Sequence, residues 1–244
     1  EANDIAAEFV RKKIREIVDD PEIAERLCPE GVIGCKRLCV DTNYYATFNR
    51  DNVSLVSIKD APIKTLTEAG LITGDREFNF DAIIFATGFD AMTGALLNMD
   101  VRGRGGARLQ DKWENGPKSY LGLSIAEFPN LFTVTGPGSP SVLTNMLPSI
   151  EQHVEWISNC IDYLRKKGST EIEAELSAEN SCVEHVNEVD SKTLRYNSSS
   201  WYLGANIPGK PRIFMPYIGG MPIYIEKCET VAARGYEGFT IVGP

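Results

Sequence analysis

Two five-residue runs constrain this chain more than any other feature. Ala82-Ile83-Ile84-Phe85-Ala86 is apolar on both faces and stops at Thr87-Gly88, and Leu131-Phe132-Thr133-Val134-Thr135 repeats the pattern before Gly136-Pro137-Gly138. A strand that alternates apolar and polar residues needs cover on one face only, whereas an unbroken apolar strand needs cover on both, as in a parallel sheet between helices. The chain therefore reads as α/β. Its 244 residues suffice for such a core, since a chain of this size buries roughly 70% of the surface it exposes when unfolded. With 43% apolar and 24% charged residues it is not a disordered sequence.

Helices frame these runs. Ile5, Ala6, Phe9, Val10, Ile14, Ile17 and Val18 recur at three and four after Asn3 and Asp4, which can cap. Asp20-Pro21 is an N-cap followed by proline at the first helical position, which predicts a short second helix ended by Pro29. Ile150, Val154, Ile157, Ile161 and Leu164 recur at 4, 3, 4 and 3 and predict a long helix with this stripe inward, closed by Gly168. A further helix is expected over 222–233 with Gly235 at its exit. Residues 171–187 are acidic and weakly periodic and read as part helix, part mobile connection.

Extended pieces are expected at 38–40, 53–56, 63–66, 71–73, 213–215 and 239–242, and an exposed hairpin around the glycine turn that joins Asp100-Val101-Arg102 to Ala107-Arg108-Leu109. Residues 197–200 form a polar loop ending at Trp201.

A net charge of −9 repels phosphate backbones and anionic lipid. The short basic runs Arg11-Lys12-Lys13 and Arg165-Lys166-Lys167 sit on amphipathic helices and read as solvated faces, so no nucleic-acid partner is expected. No apolar run approaches 18 residues, which argues against a membrane span. The six cysteines show no C-x-x-C and no histidine at zinc spacing, a pattern that fits reduced thiols in a cytoplasmic protein and no metal site. The opening Glu1-Ala2-Asn3-Asp4 has neither an initiator Met nor a secretory leader and reads as cut from something longer.

Few residues carry chemistry on their own terms. A dinucleotide fingerprint needs G-x-G-x-x-G between strand and helix, because only glycine lets the backbone approach the pyrophosphate. None is present. The nearest run, Gly136-Pro137-Gly138-Ser139-Pro140-Ser141, carries two prolines and a serine at the third glycine site. Lys36-Arg37 places two cations in an otherwise inward-looking segment, where they must meet either a carboxylate or a ligand anion. Trp201 on its serine-rich loop reads either as a lid residue or as plain packing. His153 and His185 lack a G-x-S-x-G or any nucleophile on a strained turn, so hydrolysis is disfavoured.

Taken in order, Gly34-Cys35-Lys36-Arg37, Asp41, Tyr44-Tyr45, Asn49-Arg50-Asp51-Asn52-Val53, Phe85-Ala86-Thr87-Gly88-Phe89-Asp90, Ser119-Tyr120-Leu121-Gly122, Phe128-Pro129-Asn130-Leu131-Phe132, residues 136–141, Ser149-Ile150-Glu151-Gln152-His153, Ser200-Trp201 and Gly204-Ala205-Asn206-Ile207-Pro208-Gly209-Lys210 resemble the Baeyer-Villiger flavin monooxygenases of the phenylacetone and cyclohexanone type. The resemblance implies a flavoprotein with two dinucleotide-binding, Rossmann-like domains, one for FAD and one for NADP, that converts ketones into esters or lactones with NADPH and O2. Arg37 matches the family's catalytic arginine, which faces flavin and NADP and stabilises anionic oxygen during attack on the carbonyl. Lys36 matches an NADP-contacting position, Trp201 the tryptophan of a loop closing on NADP, and Met146 a residue touching FAD. Ser141, Val142 and Leu143 match a loop that lines the ketone pocket.

The family's two glycine-rich loops and its F-x-G-x-x-x-H-x-x-x-W fingerprint are absent, so the chain resembles a carboxyl-terminal half. On that reading, residues 1–33 are a helical insertion, 34–86 the end of the NADP domain, and 87–244 the rest of the FAD domain. The amino-terminal half is the expected partner. Two alternatives stand beside this one: a flavin monooxygenase that oxygenates N or S, and a non-catalytic interaction fragment without cofactor.

Overall fold

The computed structural model describes all residues except Asp75, Ser199 and Pro244. The chain divides into two units, Glu1–Gly88 and Phe89–Pro244.

In the first unit, α1 (Ala2–Ile17) and α2 (Pro21–Leu27) form as expected. The Asp20 carboxylate accepts the amides of Glu22 at 2.8 Å and Ile23 at 3.0 Å, which satisfies two of the donors that every helix start leaves open. Ile14, Val18 and Ala24 form a small core with Val10, Ile23, Leu27 and Tyr45 against it. On its outer side Arg15 meets Glu8 at 2.7 Å and Glu25 at 2.6 Å.

The strands β1 (Ile63–Leu66), β2 (Gly70–Thr73) and β3 (Arg76–Asn79) make one antiparallel sheet in the order β1-β2-β3. Gly70 is required where β2 passes β3, because a Cβ there would lie 1.9 Å from the Phe78 carbonyl oxygen. Two of the expected strands, 63–66 and 71–73, are present, and β3 adds a third that sequence reading did not separate. The pieces 38–40 and 53–56 form no strand.

The run 82–86 corrects an expectation. It forms no strand, and Ile84 and Phe85 are 90% and 67% exposed. A central strand takes its ladder and its cover from neighbouring strands and helices, and none of the described residues supply them here. The same holds for the proposed parallel sheet. Both sheets among the described residues are antiparallel.

The second unit contains α3 (Gly94–Leu97), α4 (Leu109–Lys112), α5 (Met146–Lys167), β4 (Glu171–Ala174), α6 (Leu176–Ser191), α7 (Met221–Ala233) and β5 (Phe239–Val242). Strands β4 and β5 pair antiparallel, Ile172 opposite Ile241. Its core joins Trp156, Cys160 and Leu164 of α5, Cys182 and Val186 of α6, Tyr224, Cys228 and Val231 of α7, and Tyr120, Ile172 and Phe239. The buried Trp156 indole donates to the Cys228 carbonyl at 2.9 Å. A second cluster holds Leu109, Trp113, Ile125 and Phe128. Gly168, left-handed at φ 70°, ends α5 as expected.

Four expectations change here. The stripe α5 buries is Ser149, His153, Trp156, Cys160 and Leu164, while Val154 and Ile161 are 47% and 38% exposed. The helix therefore carries apolar residues on two faces, of which this chain covers one. Residues 171–187 are ordered as β4 and most of α6, anchored by Glu179, which is fully buried. Its carboxylate accepts the Ala126 amide at 3.0 Å and lies 3.1 Å from the Lys112 ammonium. Along 131–135 only Phe132 makes a bridge, to Ser124, and Val134 is exposed. The 213–215 segment is not a strand but hydrogen-bonds the turn over 201–204, through the Ile213 amide to the Leu203 carbonyl at 3.2 Å and the Met215 amide to that of Tyr202 at 2.9 Å. The hairpin is present as the antiparallel bridge between Arg102 and Arg108. Of the loop over 197–200, Ser199 lies outside the described residues. Among the described residues no helix is long and apolar enough to cross a membrane.

Candidate functional site

The sequence-predicted residues fall into two groups, one in each unit. In the second unit the loop over 136–145 is built on close backbone approaches. A Cβ on Gly136 would lie 2.5 Å from the Gly122 carbonyl oxygen, and one on Gly122 2.6 Å from the Ser139 amide nitrogen. The Gly138 amide donates to the Met215 carbonyl at 2.6 Å, and the Tyr217 amide to that of Ser139 at 2.8 Å. The Ser119 hydroxyl donates to the Pro137 carbonyl. Prolines and glycines that spoil a phosphate loop thus make a rigid, tightly tied turn.

The loop ends in a short 3-10 turn, Ser141–Leu143, and then in Asn145, whose side-chain Oδ1 accepts the Leu147 amide at 3.1 Å and caps α5, which starts at Met146. Val142 and Leu143 pack on the cluster of Tyr202, Leu203 and Phe214, and Trp201 packs on the same cluster. Trp201 is half-buried with its ring 4.2 Å from that of Tyr202. The structure thus brings the expected ketone-lining loop and the expected closing tryptophan onto one apolar surface. Ser141 is buried, and its hydroxyl has no partner among the described residues.

The stretch after Trp201 is tied to the residues that follow Gly88. Lys210 pairs with Asp90, and the Asn206 side-chain amide donates to the Phe89 carbonyl at 3.3 Å. Gly204, at φ 71°, closes the turn, and the Lys210 side chain crosses where its Cβ would be, 3.1 Å away.

Lys36 and Arg37 stand in the first unit and depart from expectation. Both are exposed on irregular backbone, next to the buried Cys35, and neither side chain makes an ion pair among the described residues. The inward-facing segment read from the sequence is absent: Leu38, Cys39 and Val40 are exposed too. An Arg that is not desolvated needs no carboxylate partner, so the guanidinium is accessible to an anion.

Sequence reasoning missed the supports. Tyr202 and Phe214 form the floor under Trp201, Lys210–Asp90 fixes the following stretch, and His153 is buried in a relay to Tyr224. The only signal in the sequence was His153 itself, an imidazole set into a helix. No group of three or more His, Cys, Asp or Glu among the described residues could hold a metal.

A scan against protein-family models gave no match. The Baeyer-Villiger monooxygenase of Pseudooceanicola batsensis is 42% identical over 236 residues, covering 96% of this chain and 43% of the relative. The phenazine N-monooxygenase PhzNO1 of Lysobacter antibioticus is also 42% identical, over 98% of this chain and 44% of its own length. Among solved structures, OTEMO in complex with FAD and NADP superposes with a TM-score of 0.93 at 41% identity, over 98% of this chain and 44% of that one. The two named enzymes are monooxygenases. Over nearly its whole length the chain is similar to the Baeyer-Villiger monooxygenase. It spans less than half the length of the relatives it matches.

Proposed function

We propose that this chain is the carboxyl-terminal part of an FAD- and NADPH-dependent Baeyer-Villiger monooxygenase that inserts one atom of O2 beside a ketone carbonyl to give an ester or lactone. The observation that carries the reading is the single apolar surface shared by Val142, Leu143 and Trp201. Residues 34–86 are the end of the NADP domain, 87–244 the FAD-domain remainder and 1–33 a helical insertion. The upstream polypeptide, which brings the glycine-rich loops this chain lacks, is its partner. Six cysteines, all free thiols, fit a cytoplasmic setting.

The residues present fit the cofactors at two places. The buried, unpartnered Ser141 hydroxyl and the positive amino end of the 22-residue α5 at Met146 suit an acceptor-rich ring such as that of FAD. The exposed cations Lys36 and Arg37 suit the phosphates and charge of NADP. Reduced flavin supplies the activation of O2. In the second unit Val142 and Leu143 would hold the ketone's apolar body and Trp201 would exclude water from the bound cofactor; by resemblance the Arg37 guanidinium of the first unit would stabilise negative charge developing on oxygen.

The test uses this chain joined to the polypeptide that completes its relatives' length. It should bind flavin, and a cyclic ketone should accelerate its NADPH oxidation with formation of lactone. A colourless protein without ketone-dependent NADPH oxidation would overturn the reading and leave the non-catalytic fragment. A second reading, oxygenation at an aromatic nitrogen, is favoured by the phenazine N-monooxygenase, which matches as well as the ketone-type enzyme. It predicts N-oxide from a phenazine and little turnover of ketones.

A further inference from the structure

His153 is fully buried, seven residues into α5 from Met146, and has a hydrogen bond on each ring nitrogen. Nδ1 lies 2.8 Å from the Thr135 amide nitrogen and accepts its proton. That leaves the ring proton on Nε2, which lies 2.9 Å from the Tyr224 hydroxyl. Tyr224 in turn donates to the Leu121 carbonyl at 2.7 Å. One neutral imidazole therefore connects α5, α7 and both sides of the Gly122/Gly136 contact, with every polar atom of the relay used.

The ends of this relay are strained. Thr135 sits at φ 57° and Leu121 at φ 60°, in the left-handed region that non-glycine residues, β-branched threonine above all, avoid. Such backbone persists only where its surroundings over-determine it. Thr135 is also the point from which the 136–145 loop departs, and α5 is the element on which that loop lands. The Thr135–His153 bond spans 18 positions of sequence and clamps the start of the loop to the helix at its end.

We infer that His153 is a positioning residue for ketone binding: by accepting the Thr135 amide it fixes the strained turn from which the loop bearing Ser141, Val142 and Leu143 is hung. Tyr224 orients the imidazole so that Nδ1 carries the lone pair. The inference rests on the proposed ketone oxidation for the identity of the ligand, and on the hydrogen-bond geometry alone for the clamp.

Side-chain stereochemistry separates the two bonds of the relay. The Asn side-chain oxygen occupies the place of Nδ1 and accepts the Thr135 amide, whereas Gln reaches the place of Nε2 and leaves that amide without an acceptor. In the intact protein His153→Gln should speed hydrogen exchange at Thr135 and across 136–143 by about tenfold or more. It should raise the KM for a cyclic ketone by a similar factor with kcat within about twofold. His153→Asn should restore both. Tyr224→Phe, which frees the ring to reorient, should fall between them.

Unchanged exchange and KM in an active His153→Gln enzyme would overturn the clamp alone. Faster exchange with an unchanged KM would confine His153 to folding and overturn its part in ketone binding. Absence of ketone oxidation in the unsubstituted protein would overturn the functional reading and, with it, the ligand assigned here.

Discussion

The two units place their apolar residues in opposite ways. The second unit closes a continuous core around Trp156, Cys160, Tyr224 and Cys228, with the buried Glu179 held by the Ala126 amide and the Lys112 ammonium and the buried His153 by the Thr135 amide and the Tyr224 hydroxyl. In the first unit, burial is concentrated in the small α1–α2 cluster, while Leu38, Val40, Ile84 and Phe85 lie open to water. Apolar runs without polar alternation, left open, mark surfaces built to be covered. The difference teaches that the second unit supplies its own core, whereas the run 82–86 finds neither ladder nor cover among the described residues. Arg37, two residues beyond the buried Cys35, is itself exposed in this first unit.

The sharpest way to break this contrast is to truncate on each side of it. Trp156→Ala removes a buried indole and its hydrogen bond and should cost about 3–5 kcal/mol in chemical unfolding followed by circular dichroism. A cost below about 1 kcal/mol would mean that the second unit's core is not what holds it. Next in size is a pH effect. Burial pushes the His153 imidazole down to about 4 in the folded chain, against about 6.5 when unfolded. Below its ordinary value the unfolded chain takes up a proton that the folded one refuses. Its contribution is complete above about pH 6.5 and is lost as the pH falls toward 4, amounting to about 3 kcal/mol. Both histidines and all three tryptophans lie in the second unit, so tryptophan fluorescence should report this loss and His153→Asn should flatten it.

Smaller effects sharpen the other side. Removing the Asp20 cap with Asp20→Ala should cost about 1 kcal/mol of first-unit stability. Ile84→Ser should change the stability of this chain alone by less than about 0.5 kcal/mol, because the side chain is already in water. Joined to the polypeptide that completes its relatives' length, the same change should cost about 1.5–3 kcal/mol. An equal effect in both settings would show that residue 84 is never covered.

Legibility from sequence followed the same division. Local signals worked wherever the chain supplies its own partners: the Asp20-Pro21 cap, the Gly168 stop, and the long helix are all in place. Periodicity gave that helix but not its orientation, because α5 has two apolar faces and counting apolar residues does not say which one meets Trp156 and Cys160's neighbours. The 82–86 run reads as a strand needing two-sided cover but forms none, because no described residue gives it a ladder or cover. At the site, Ser141, Val142, Leu143 and Trp201 were named from resemblance, and Val142, Leu143 and Trp201 meet on one surface. Their supports were not legible, since the His153–Tyr224 contact joins residues 71 positions apart and no local pattern announces it.

The most direct test of the account compares the intact protein with its Arg37→Ala variant, reading lactone formed per NADPH oxidised from a cyclic ketone while flavin absorbance confirms loading. The account predicts tight coupling in the unsubstituted enzyme. In the variant it predicts retained flavin with lactone formation reduced by about 10²-fold or more. Lactone formation at the unsubstituted rate in a flavin-loaded Arg37→Ala enzyme would contradict it.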